Sequence, residues 1–295
     1  MIALALAMMG AVQLERFTFT EVHMGGEFRL TFFAEDASRA ERAAKGAYRR
    51  IAELEQIMSD YRPSSEVRGL VFGGSQPVSR ELFEVLTMAQ EISARTDGAF
   101  DVTAGPVVKL WRNARATGRL PGAIELAQAR SFVGWQNVKL DPKYRSVTIL
   151  RDGVLIDLGG IAKGYSCDEA VRILGSYGVK SAIVQAGGDL VVGDAPPGSE
   201  GWPVRIPGEE EPRLLANCAV STSGDTEQFI EVDGVRYSHI VDPRTGVGVT
   251  NRVMVTVIAD RGLVSDPLAT AFCVMGRAGV SVARDFGVSL VLSVE

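Results

Sequence analysis

The apolar residues of this chain change period repeatedly along its length, and that alternation constrains the fold more than any single motif. From Ala40 to Met58 the apolar positions Ala40, Ala44, Ala47, Ile51, Leu54 and Met58 step by four and three, the spacing of one helix face. A second helix is expected after Ser79, whose hydroxyl suits a helix N-cap, with Leu82, Leu86, Ala89 and Ile92 along one side. A third runs from Asp168 to Tyr177 and is closed by Gly178. Between them lie strand-like runs rich in branched residues at Val147–Leu150, Ala182–Gln185, Val253–Ala259 and Val288–Val294. Phe229–Val232 and Val235–Tyr237 flank Asp233-Gly234, both of which tolerate positive φ, so together they read as a hairpin. Helices and strands interleave without a clean βαβ repeat, which predicts an α+β fold of two closely packed lobes.

Composition narrows the function classes. With 46% hydrophobic and 23% charged residues in 295, the chain is a folded globular body rather than a disordered, collagenous or disulfide-stapled one. Lys and Arg number 31 against 36 Asp and Glu, and no basic run occurs, so nucleic acid is not an expected partner. Cys167, Cys218 and Cys273 form no C-x-x-C pair and are expected to be small buried fillers. The proline-rich stretch Asp194–Arg213, with its Glu209-Glu210-Glu211 run, reads as a surface excursion between strands. Met1–Val12 is apolar but too short to span a bilayer. Residues 1–16 therefore read either as the remnant of an export signal or as an N-terminal strand, with membrane association at most peripheral.

The residues that carry chemistry sit in glycine-bearing polar clusters at the ends of apolar runs. Gly159-Gly160-Ile161-Ala162-Lys163-Gly164 lacks the G-K-[ST] ending of a phosphate loop. Its backbone amides at a helix start, with Lys163 as a point charge, still suit an anion; the alternative is a plain turn followed by a solvated lysine. Gly187-Gly188 permits close approach of a planar ligand or a phosphate, or serves only as a tight turn. Ser221-Thr222-Ser223-Gly224-Asp225 concentrates hydroxyls that either bind a ligand or belong to an ordinary loop. Of two histidines, His23 and His239, the second lies between a hairpin strand and a turn, where an imidazole suits proton abstraction or a structural role.

In Ser265-Asp266-Pro267-Leu268-Ala269-Thr270-Ala271, Pro267 fits the first helical position and Asp266 the N-cap before it. Asp266 and Thr270 then stand one turn apart and offer two hard oxygens to Mg²⁺ or Ca²⁺. The alternative is that Asp266 only caps the helix.

Taken in order, these clusters resemble the ApbE-like family of FAD:protein FMN transferases. The resemblance rests on Tyr61-x-Pro63-x-Ser65-Glu66, Gly98-Ala99-Phe100-Asp101-Val102-Thr103, Asp157-Leu158-Gly159-Gly160-Ile161-Ala162-Lys163-Gly164-Tyr165 with Asp168, and Gly187-Gly188-Asp189. It continues through Thr222-Ser223-Gly224-Asp225, His239-Ile240-Val241-Asp242-Pro243-Arg244-Thr245-Gly246, and Asp266 with Ala269-Thr270-Ala271, covering about His23 to Gly276. It implies a mixed-sheet, two-lobed architecture related to the T-fold, with residues 17–295 forming one catalytic domain.

The implied reaction is metal-dependent transfer of the FMN half of FAD to a threonine or serine hydroxyl of an acceptor flavoprotein, with release of AMP. Its alternatives are FAD hydrolysis to FMN and AMP, or FAD binding without catalysis. By the same resemblance Gly160, Asp266 and Thr270 hold Mg²⁺ or Ca²⁺, Lys163 adds a second positive charge, and His239 is the base. Met24, Tyr61, Ala99, Phe100, Asp101, Lys163, Asp168, Gly187, Gly188, Asp189, Thr222, Ser223 and His239 contact FAD. A periplasmic location, or one on the outer side of the inner membrane, follows from the family's usual work, and a cytoplasmic one stays open. The chain departs from the family pattern at Gly26, at Pro267 and in Val67-Arg68-Gly69-Leu70.

Overall fold

Seven strands with side chains alternating between two faces carry the molecule, described for residues 13–224 and 228–294 in a computed structural model. The apolar Met1–Val12 run and Asp225 lie outside the described residues. The strands of the large sheet are β1 (Glu15–His23), β2 (Gly26–Ala34), β3 (Ala182–Ala186), β4 (Asp189–Val192), β5 (Cys218–Ser223), β6 (Val253–Ala259) and β7 (Ser289–Val294), hydrogen-bonded side by side in chain order. Every pairing in this sheet is antiparallel. The expected mixed sheet is thus corrected: neighbours in sequence are neighbours in space, so no parallel crossover is needed. Among the described residues, parallel pairing is limited to the isolated bridges Phe72 with Ile149 and Ala104 with Leu155.

The alternation sorts the core into two sides. Ala182, Val184 and Ala186 of β3, Val191 of β4 and Ala219 of β5 face a helical layer, whereas Ile183, Val192 and Val220 point the other way. That second side is covered by the proline-rich stretch. Expected as a surface excursion, it instead folds Trp202–Val204 against Arg213–Leu215 and buries Trp202, Val204 and Ile206 on the sheet.

The helical layer begins with α1 (Ala37–Met58), capped by the Asp36 carboxylate accepting the Arg39 N–H at 2.7 Å. Next comes α2 (Arg80–Arg95), capped as expected by the Ser79 hydroxyl, while α3 (Gly105–Thr117) and α4 (Ala123–Arg130) share a separate apolar cluster with Ile230, Tyr237 and Val241. The third expected helix is α5 (Ala162–Ser176), which starts six residues before Asp168. The layer ends with α6 (Gly262–Met275) and α7 (Gly279–Phe286). A small sheet of Gly73–Pro77, Ser146–Ile149 and Val138–Asp141 joins α2 on the core shared with α6. The Phe229–Val232 and Val235–Ser238 hairpin turns at Asp233 and Gly234, both at positive φ. Cys167 and Cys273 are buried and Cys218 is half-buried. No helix among the described residues is long and apolar enough to cross a membrane.

α5 and α6 meet backbone to backbone. A Cβ on Gly164 would lie 2.2 Å from the Gly262 carbonyl oxygen and 2.7 Å from the Asp266 Cβ. Only hydrogen fits there, and the contact fixes where α6 presents Asp266. Gly164→Ala is expected to lower stability by about 1–3 kcal/mol or more, the usual cost of overpacking a closed core, read from the urea midpoint. An unchanged midpoint would show that the two helices separate easily.

Candidate active site

The N-terminal end of α5, the first turns of α6 and the ends of β4 and β5 converge. Asp266 is 3% exposed, and one of its oxygens, Oδ2, accepts the Gly164 N–H at 3.0 Å. It lies inside α6, not before it: the helix starts at Gly262, and Pro267 is an interior residue. The N-cap expectation for Asp266 and the first-position expectation for Pro267 are therefore corrected. The role of capping α6 belongs to Asp168, whose carboxylate accepts the Gly262 N–H at 2.7 Å and the Leu263 N–H at 3.0 Å. Desolvation nonetheless pushes the Asp168 carboxyl up to about 6. The relative spacing of Asp266 and Thr270 holds, since both lie on one helix a turn apart.

Lys163, read alternatively as a solvated residue, forms an ion pair with Asp189, which is 4% exposed at the start of β4. Burial works against the ammonium, but Asp189 and Asp266 outweigh it and raise the Lys163 pKa. Burial and the neighbouring Asp189 carboxylate push Asp266 up to about 7, with Lys163 and the Gly164 N–H pulling the other way. Two carboxylates thus crowd around the Lys163 ammonium, and burial together with that crowding favours a proton on Asp266.

Gly160 completes this corner. A Cβ there would meet the Thr270 hydroxyl oxygen at 3.1 Å and the Phe100 ring at 3.4 Å, so the bare backbone lies against both. No group of three or more His, Cys, Asp or Glu among the described residues suits a metal. The donors present are one carboxylate, one hydroxyl and a backbone carbonyl, all hard oxygens. Such hard oxygens are the donor type that suits Mg²⁺ or Ca²⁺, with further oxygen ligands needed to complete the shell.

Around the corner, Gly187 at positive φ and Gly188 form the β3–β4 turn. The Thr222 N–H donates to the Gly188 carbonyl at 2.8 Å, and the Thr222 and Thr256 hydroxyls share a hydrogen bond of 2.8 Å. Ser223 follows on β5 and offers its carbonyl to the Cys273 thiol at 3.0 Å. Met24, at φ 50 in the β1–β2 turn, lies beside α5, with the Ser166 hydroxyl 3.5 Å from its sulfur.

Ala99 is buried, and Asp101 is tied inward, accepting from Thr103 N–H and hydroxyl and from the Trp135 N–H. Beside it opens a cavity of about 490 Å³, bordered by Asp97, Arg130, Trp135, Gln136 and Arg244. His239 lies on the connection after the hairpin, where Nδ1 is 3.1 Å from the Gln228 carbonyl oxygen. Its chain neighbour Ile240 is buried in the core that holds Phe100 and Ala162.

Sequence reading missed Arg112 of α3 as a site residue, although it joins three segments of this region. It pairs with Asp60, donates to Asp157 at 2.7 Å and lies with its guanidinium carbon 4.5 Å from the Tyr61 ring centre. Asp157 in turn accepts the Gly159 N–H at 2.8 Å, which shapes the turn leading to Gly160.

Residues 24–292 match the model of the ApbE family. The chain belongs to the ApbE family. Among ApbE relatives, the FAD:protein FMN transferase of Vibrio cholerae serotype O1 is 33% identical over 254 residues, 80% of this chain and 74% of that protein. The solved structure of the flavin transferase ApbE from Vibrio cholerae superposes with a TM-score of 0.84 at 27% identity, covering 96% of this chain and 94% of its own. The ApbE protein from Thermotoga maritima gives 0.83 at 31% identity, with 94% of each chain covered. Every expected site residue from Met24 to Thr270 falls within the ApbE match.

Proposed function

We propose that this chain transfers the FMN half of FAD to a threonine or serine hydroxyl of an acceptor flavoprotein, releasing AMP, with a bound divalent cation. The observation that carries the reading is the corner where Gly160, Thr270, Asp266 and Lys163 come together beside a helix N-terminus. Relatives over most of the chain's length are FAD:protein FMN transferases, which supports the same reaction class.

Asp266, Thr270 and the Gly160 carbonyl would hold the cation, which supplies charge neutralisation to the pyrophosphate and to the departing AMP phosphate. Lys163 offers a second positive charge to the same oxygens, and the exposed Gly187-Gly188 turn lets the ligand approach main chain closely. His239 takes the proton from the acceptor hydroxyl. The acceptor oxygen forms a bond to the FMN-side phosphorus as the bond from that phosphorus to the bridging oxygen breaks, and the electron pair leaves with AMP.

The test is incubation with FAD, Mg²⁺ and a candidate acceptor flavoprotein, followed by mass spectrometry of the acceptor. An FMN adduct on one threonine or serine, formed together with AMP and lost on chelation, is the expected result. Free FMN and AMP without an adduct would reassign the site to hydrolysis. FAD retained unchanged would leave a binding protein.

A further inference from the structure

Arg112 has no place in the reaction just described, yet it joins two carboxylates and an aromatic ring beside Gly159. Its guanidinium, only 27% exposed, bridges two carboxylates that lie 52 and 45 residues away in sequence, Asp60 and Asp157. Its guanidinium carbon lies over the Tyr61 ring, 4.5 Å from the ring centre. Tyr61 itself is 72% exposed, so the ring stays open to a stacking ligand. It belongs to a loop tied by the Tyr61 and Arg62 N–H groups, each 3.3 Å from the Ser59 hydroxyl, by the Arg62 contact with Glu55, and by the Ser65 N–H donating to the Arg62 carbonyl at 3.0 Å.

We propose that Arg112 is a positioning residue for the dinucleotide: bridging Asp60 and Asp157, it fixes the Tyr61 ring as a platform on which one planar ring of FAD stacks. The proposal rests on the reading of this corner as an FAD site. Three requirements meet in one side chain. Two carboxylates must be answered by separate donors, the same cation must lie over an aromatic ring, and the charge must persist at every working pH. A guanidinium meets all three, whereas an ammonium cannot bridge and stack at once. Fixing the ring beforehand removes the cost of ordering an exposed side chain when ligand arrives, so the contribution falls on binding and not on the chemical step. Asp157 extends the effect, because its other oxygen holds the Gly159 N–H beside Gly160.

The experiment measures FAD dissociation constants by flavin fluorescence, and KM and kcat for FAD, at saturating Mg²⁺. It compares the full chain with Arg112→Lys, Arg112→Gln, Tyr61→Leu and the Arg112→Gln/Tyr61→Leu double variant. Both Arg112 variants are expected to raise Kd and KM about fivefold to tenfold with kcat nearly unchanged, the scale of one preorganised aromatic contact. Arg112→Lys keeps a positive charge between the two carboxylates, so it remains informative if Arg112→Gln fails to fold. The double variant is expected to bind no worse than Tyr61→Leu alone, because Arg112 acts through that ring. Normal FAD binding by both Arg112 variants overturns the proposal and leaves the site reading intact, as do losses that multiply in the double variant. A wild-type chain that binds no FAD overturns both.

Discussion

Asp266→Asn is expected to lower metal-dependent turnover roughly a thousandfold or more, since a few kcal/mol of charge stabilisation at the phosphates goes with the cation. Asparagine preserves the volume and still accepts the Gly164 N–H, so the α5–α6 crossing should survive and the loss should be chemical. Mg²⁺ titration by calorimetry checks it: the variant should show no tight site, while Thr270→Ala should weaken the site less, a neutral hydroxyl being the lesser donor. Undiminished Mg²⁺ affinity in Asp266→Asn would remove the proposed ligand set.

The same carboxylate gives the site a pH dependence whose sign is fixed. Burial and the neighbouring Asp189 push Asp266 up to about 7, so the proton competes with the cation below that pH. Mg²⁺ affinity should therefore climb about tenfold per pH unit on the acid side and level off above about 7, with one proton released per cation bound well below that pH and none well above it. When FAD and Mg²⁺ are held below saturation, turnover should follow the same rise. The Asn variant should show no such slope.

Where the pattern was local, the sequence was legible. The four-and-three spacing of Ala40 to Met58 became α1, and Val253–Ala259 became β6 at the same residues. Ser79 caps α2 through a bond only three residues long, and Asp233-Gly234 turns its hairpin by backbone geometry that those two residues favour. The misread start of α6 involves a partner distant in sequence. Asp266-Pro267 has the look of a helix start, but α6 begins five residues earlier because Asp168, from another helix, satisfies its first amides. Nothing near Gly262 in the chain signals that cap.

The proline-rich stretch misled for the same reason. Its prolines mark turns correctly, but the apolar sheet face that receives Trp202 is built by Ile183, Val192 and Val220. Within the candidate site, the glycines and hydroxyls were legible as clusters, since each sits where a strand or helix begins or ends. Their arrangement was not. Lys163 could be listed as a phosphate ligand from its motif, but its pairing with Asp189 depends on β4 lying beside α5. Arg112 carried no signal at all, because its meaning lies in two carboxylates and a ring from other segments.

His239→Ala is the second large effect, expected to cut kcat for FMN transfer by about a hundredfold to ten-thousandfold, the range of a positioned general base. The geometry says which nitrogen would act. A carbonyl oxygen can only accept, so the Nδ1 that lies 3.1 Å from the Gln228 carbonyl carries the hydrogen of the neutral ring, and the lone pair is on Nε2. The Gln228 carbonyl also receives the His239 N–H at 2.9 Å, which fixes the ring's own backbone to the same atom. His239→Ala should leave Mg²⁺ affinity nearly unchanged, because His239 is not one of the proposed cation ligands Gly160, Asp266 and Thr270. In the proposed reaction the base acts only on the acceptor's proton, so it would separate from the proposed metal ligands by kinetics: AMP formation with the acceptor present should fall, while the acceptor-independent rate should move far less. Combining His239→Ala with Asp266→Asn should cost little beyond the worse single change, since base and cation serve one transition state. Full transfer by His239→Ala would assign the proton to another group while leaving the metal corner standing.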